Sequence, residues 1–152
     1  MTLVATFFAG IVGTLFMSIV MTVVHRSGWA NADMIRALGS LITRSRENAL
    51  GWGLVIHFVS GMLFAIPYTI VLSAFGGHGL PITLGLGILM GLVHGIVMSL
   101  LLLAAVSEKH PLEQFQEAGF EVAVAHIAGH VAYGFGVALM VAVLHIDWGF
   151  RI

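Results

Sequence analysis

Residues 48–107 read NALGWGLVIHFVSGMLFAIPYTIVLSAFGGHGLPITLGLGILMGLVHGIVMSLLLLAAVS, without one charged side chain. At ~1.5 Å rise per residue, a bilayer core of ~30 Å needs about 20 apolar residues in a helix. This stretch is long enough for two such helices. It breaks once, at Gly76-Gly77-His78-Gly79-Leu80-Pro81, where clustered glycine followed by proline signals a turn. Reading outward, the charges fall into three groups: Arg26 to Glu47, Glu108 to Glu121, and Asp147 with Arg151. The flanking charge-free stretches, 1–25 and 122–146, hold one span each. The expected spans are therefore about 3–25, 51–75, 81–106 and 121–146, forming a single transmembrane domain over 1–152. Each must be helical, because backbone groups in hydrocarbon find no water to bond. Short connections favour antiparallel neighbours. The expected fold class is all-α, an antiparallel integral membrane four-helix bundle.

The overall composition agrees. Of 152 residues, 59% are apolar and 9% charged, and mean hydropathy is +1.05. A soluble domain carries roughly a quarter charged residues. A formal net charge of −1 offers no footprint for nucleic acid, so no nucleic-acid partner is expected. With no Cys, thiolate catalysis, disulfides, Fe–S clusters and Cys-zinc sites are excluded.

Lys/Arg bias sets the expected orientation. The loops after spans one and three hold Arg26, Arg36, Arg44, Arg46 and Lys109, whereas the other side holds Arg151. That places loops 26–50 and 107–120 in the cytoplasm and both termini outside a plasma (inner) membrane. The N-terminus lacks a basic residue before its apolar run, so it does not read as a cleaved signal peptide. Trp29, Trp52 and Trp148 fall near the expected interfaces. Within the first loop, Asp33 is positioned to cap a helix over about 33–44. Its Met34, Ile35, Leu38, Leu41 and Ile42 recur at helical spacing, opposite Arg36, Ser40, Thr43 and Arg44. This reads as a short amphipathic interfacial helix between spans one and two, touching lipid or a partner subunit, or merely connecting. The loop from Ser107 to Glu121 is acidic, contains Pro111 and reads as a solvated turn.

Gly87, Gly91 and Gly95 share one face of span three, and Ala125, Ala128, Gly129, Ala132 and Gly136 offer small surfaces on span four. Gly10, Gly13 and Gly61 do the same on the first two spans. Such stripes let backbones approach closely, and the expected partner is the bundle itself. Pro67 is expected to kink span two.

Eight histidines are many for so apolar a chain. His78 and His110 lie in turns and His25 and His145 at span ends. His57, His94, His126 and His130 lie within spans. Ionisable groups at membrane depth are costly and mark functional sites by default. Counted from the cytoplasmic ends, they lie about 9, 18, 7.5 and 13.5 Å deep. His126 and His130 are four apart, hence on one face. Three antiparallel helices should thus bring four imidazoles into one region in the cytoplasmic half. Met90, His94 and Met98 form one stripe, and Met17, Met21 and His25 another. The plainer reading of the methionines is gap-filling, and of the histidines interhelical hydrogen bonding.

No carboxylate lies within a span, which disfavours a di-iron carboxylate site and a carboxylate relay. No Lys is placed for a Schiff base, and no Ser has a His and acid arranged for hydrolysis. Two cofactor options survive. One is a single haem b between imidazoles, for example His94 with His130 or His57 with His126. The other is a copper or zinc site of His57, His94 and His130, with Met90, Met98 or Met21 adding soft thioether for copper(I). Tyr133 shares a face with His130 and would support the ligands.

Gly10-Ile-Val-Gly-Thr-Leu-Phe-Met17-Ser, Gly51-Trp-Gly-Leu-Val-Ile-His57-Phe-Val-Ser-Gly61 and His130-Val-Ala-Tyr133-Gly134 resemble segments of small, uncharacterised four-span membrane proteins of bacteria and archaea. The resemblance implies a four-helix bundle with a histidine on span two and His-x-x-Tyr-Gly on span four. It implies no activity. His94 and His126 lie outside the shared pattern, which leaves His57 and His130 as the residues it supports.

The leading expectation is a non-enzymatic membrane subunit, embedded in lipid with other membrane subunits, of an electron-transfer complex. A histidine-lined haem b or metal site would sit in its cytoplasmic half. The rivals are a purely structural or assembly subunit whose histidines are glue, and a small copper- or zinc-handling protein.

Overall fold

The computed structural model describes residues 1–75, 79–102, 109–117 and 119–149. His78, the end of span three beyond 102, Glu108 and Arg151 lie outside them. The described elements are α1 (Thr2–Arg26), α2 (Met34–Thr43), α3 (Ala49–Ala74), α4 (Leu80–Leu102), a single 3₁₀ turn (Glu113–Phe115) and α5 (Phe120–Leu144). No strand occurs among the described residues. Four of the helices, α1, α3, α4 and α5, are long and apolar enough to cross a membrane. The chain is a multi-pass helical membrane bundle. α3 continues through Pro67. The start of α1 and the segment after α5 meet at one end, where the Thr2 hydroxyl donates to the Asp147 carbonyl (3.2 Å). We call this the terminus end, and the opposite one the loop end.

The apolar residues cannot drive helix to helix in lipid, which is as oily as they are; close packing and polar contacts must. The glycines provide the packing. Gly87 lies against Gly134 and Ala138, Gly91 against His130 and Val131, and Gly95 against Ile127, so the stripe on α4 closes on α5. Gly13 meets Tyr133 and Val137, and Gly136 meets Gly13 and Phe16, sealing α1 to α5. Gly10 and Gly61 bring α1 onto α3. α4 packs on α5, α5 on α1 and α1 on α3, while α3 and α4 barely touch. The bundle is therefore a row of four helices curled back on itself, with one loosely closed side.

At the terminus end a polar knot holds α1, α3 and the C-terminal segment. Thr69 donates to the Ile66 carbonyl, so its oxygen accepts from the Trp148 indole N–H (3.0 Å) and meets Thr6 (3.1 Å). Trp148 is thus tied to the bundle, whereas Trp29 and Trp52 are exposed.

The loop end corrects two expectations. Asp33 holds the N-cap position of α2 but makes no capping bond; its carboxylate instead takes Arg36 (3.4 Å) and Arg46 (3.3 Å). α2 forms as the amphipathic helix expected, and Leu41 and Ile42 of its apolar stripe are exposed. It docks by Gly39 and Ser40, because Gly39 and Gly53 have no Cβ and the backbones of α2 and α3 can cross in contact. The loop before α5 is not a solvated turn either. His110 and Phe115 are buried, with rings 4.9 Å apart. His110 Nε2–H donates to the Ala37 carbonyl (3.1 Å), and its Nδ1 accepts the Leu112 N–H (3.1 Å). The Asn31 amide adds a bond to the Gln114 carbonyl (2.8 Å). The bonds of His110 to the Ala37 carbonyl and of Asn31 to the Gln114 carbonyl hold this loop against the segment of α2, which its acidic composition concealed.

Candidate functional site

A chamber of about 290 Å³ opens between α1, α3, α4 and α5 and is covered on the loop side by Met34 and Leu38 of α2. His57, His94, His126 and His130 all line it, together with Tyr133, Met17 and Met98. Met90 does not; it packs against the apolar core instead. The chamber exists because α3 stands off from α4. Phe64 and Tyr68 fill that gap against His94, with ring centroids 4.6 and 5.9 Å away.

The imidazoles form a contiguous group. The ring of His94 stands edge-on to that of His130 at 4.6 Å, and His126 lies 5.0 Å from His130. His126 and His130 are nearly fully buried, at 5% and 6% exposure, and His57 at 8%.

Hydrogen bonds fix what these rings present. Ser18 donates its hydroxyl to the Thr14 carbonyl (2.8 Å), so its oxygen accepts from His57 Nε2–H (3.2 Å). A neutral imidazole carries one proton, which leaves a lone pair on His57 Nδ1. His130 Nδ1–H donates to the His126 carbonyl (2.9 Å), leaving the lone pair on Nε2. His94 Nδ1 bonds the Tyr68 hydroxyl (3.2 Å), and its Nε2 is buried without a partner among the described residues. Tyr133 spends its hydroxyl proton on the Gly61 carbonyl (2.6 Å). At His57 and His130 the fixed contacts thus consume the ring N–H and leave a nitrogen lone pair. This is the way proteins commonly orient a ligating histidine, through a bond from its other ring nitrogen. Met17 and Met98 add thioether sulfurs, and no carboxylate among the described residues lines the chamber.

Comparison with known families comes out one way. The model of a family of unknown function, DUF6789, matches residues 1–148. The chain belongs to this family. The match takes in all four long helices and the chamber, so the resemblance seen in the three short sequence segments extends over the whole bundle. No curated protein and no solved structure matches the chain.

Of the residues expected to act, His57, His94, His126, His130, Tyr133 and Met98 meet at the chamber. Sequence reasoning missed Ser18 and Tyr68, which orient His57 and His94. A lone Ser or Tyr in an apolar helix is a weak signal, although Ser18 and Met21-His25 belong to the same span. No three His, Asp or Glu side chains among the described residues stand close enough together to enclose a metal ion as arranged.

Proposed function

We propose that this protein is a non-enzymatic membrane subunit that binds one soft, singly charged metal cation, copper(I), in the four-histidine chamber. The observation that carries this is the consumption of imidazole N–H groups by Ser18 and the His126 carbonyl, which leaves lone pairs in a chamber without carboxylates. A chamber that presents lone pairs suits a Lewis acid. With no carboxylate to balance it, a divalent ion would leave two uncompensated charges in low dielectric. Zinc moreover prefers four ligands in a tetrahedron. Imidazole and thioether together favour copper(I). The imidazole χ2 torsion is soft, so His94 and His130 can turn their free nitrogens toward one small ion. The same contact argues against haem b: rings 4.6 Å apart leave no room for a porphyrin between His94 and His130.

In this reading the loop end faces the cytoplasm, by the arginine bias, and the chain serves a larger membrane assembly, of the electron-transfer kind, as its metal-bearing member. The test is metal analysis and absorbance of protein purified under reducing conditions. The expected result is one copper per chain, lost in His130→Leu and His94→Leu, with no Soret band. Protein that takes up no copper(I) under those conditions overturns the proposal. A second reading has its own support, since Ser18–His57 and Tyr68–His94 link helices directly. There the histidines are glue. Single replacements would then cost about 0.6 kcal/mol of stability and release nothing.

A further inference from the structure

A second pocket, of about 250 Å³, lies at the loop end between α1, α2 and the start of α3. We propose that it binds a phosphate group, either a lipid headgroup or free phosphate. Arg26 and Arg36 line it, with His25, Ser18 and Thr22 on its wall. Asp33, the carboxylate that lines it, is already paired with Arg36 and with Arg46 from outside the pocket, and Arg26 has no ion pair among the described residues. That leaves a surplus of positive charge at the pocket. His25 Nδ1 is buried and without a hydrogen-bond partner among the described residues. Asp33, Met34, Ile35 and Arg36, from the start of α2, also line the pocket, and this helix start has no side-chain cap. Uncapped first-turn amides are donors that favour an anion.

Arg26, Arg36 and the first-turn amides of α2 thus give the pocket more cations and donors than Asp33 takes up. The complementary ligand carries several acceptor oxygens and negative charge, and guanidinium forks match phosphate oxygens in pairs. A carboxylate ligand would offer fewer acceptors to the same set. Basic pockets between spans, at the level where the helices leave the bilayer, are also where phospholipid heads are held.

The test uses full-length protein stripped of lipid in neutral detergent. Binding is read by native mass spectrometry and by thermal shift. The ligands are phosphatidylglycerol, phosphatidylcholine and inorganic phosphate. Phosphatidylglycerol binding with no effect of inorganic phosphate supports the proposal with a lipid source. Saturable binding of both supports a site that reads the phosphate alone. Arg26→Gln should weaken binding about fivefold or more, and Arg36→Gln likewise. Arg44→Gln removes the same charge from an exposed site outside the pocket and should leave binding within about twofold of the parent. Three results overturn the proposal. They are equal losses in Arg26→Gln and Arg44→Gln, equal binding of the two lipids, and no binding of any of the three ligands. Because Arg26 makes no hydrogen bond or ion pair among the described residues, its loss removes no contact the fold uses.

Discussion

The two flanks of α4 are built on opposite principles. Toward α5, glycines at 87, 91 and 95 let backbone meet backbone, and no space remains. Toward α3 the contact is sparse, and it is made by the large rings of Phe64, Tyr68 and His94. One flank gains dispersion from close approach. The other holds helices apart, and the resulting space becomes the chamber. In lipid, where burial of apolar area drives nothing, small residues decide where a bundle closes and large polar-tipped ones where it stays open.

The sharpest way to break this contrast is to put bulk into the closed seam. Gly91→Val drives its side chain into the His130 carbonyl and the Val131 backbone, which belong to a helix that cannot yield locally. Overpacking of this kind should cost about 3 kcal/mol or more, and the variant should fail to give monodisperse protein. Gly85→Ala, on the same helix, meets nothing within 4 Å and should change stability by less than about 0.5 kcal/mol. Similar losses for both variants would show that the seam is not where α4 is held.

Next comes the tie across the chamber. Tyr133→Phe removes the bond from α5 to the Gly61 carbonyl on α3. A drop of about 1 kcal/mol is expected in unfolding by sodium dodecyl sulfate titration. Tyr68→Phe is a smaller change than Tyr133→Phe, because it frees only His94 Nδ1 on the loose side. It should cost about 0.5 kcal/mol and leave copper stoichiometry unchanged, since Tyr68 orients a ligand and supplies none. Loss of copper in Tyr68→Phe would mean that the phenol holds the ring in its binding position.

Much of this was legible in the sequence. Charge-free length fixed the number of spans, and spacing of four fixed the glycine faces, because both follow from helix geometry alone. Depth arithmetic brought His57, His94, His126 and His130 to one level, and the chamber they line follows from that. Less could be read where a residue's role depends on its neighbour's rotation. Met90 and Met98 sit two turns apart on one stripe, yet only Met98 lines the chamber. Asp33 has the chemistry of a helix cap, but two nearby guanidiniums compete for it and win. Ser40 looked like the polar face of α2, and only the arrival of Gly39 against Gly53 turns it inward.

His110 bears on how the molecule can be handled. By bonding the Ala37 carbonyl and stacking on Phe115, it joins two segments that are far apart along the chain into one platform across the loop end. An epitope or fluorescent fusion inserted between residues 109 and 117 would therefore strain α2 and the roof of the chamber together.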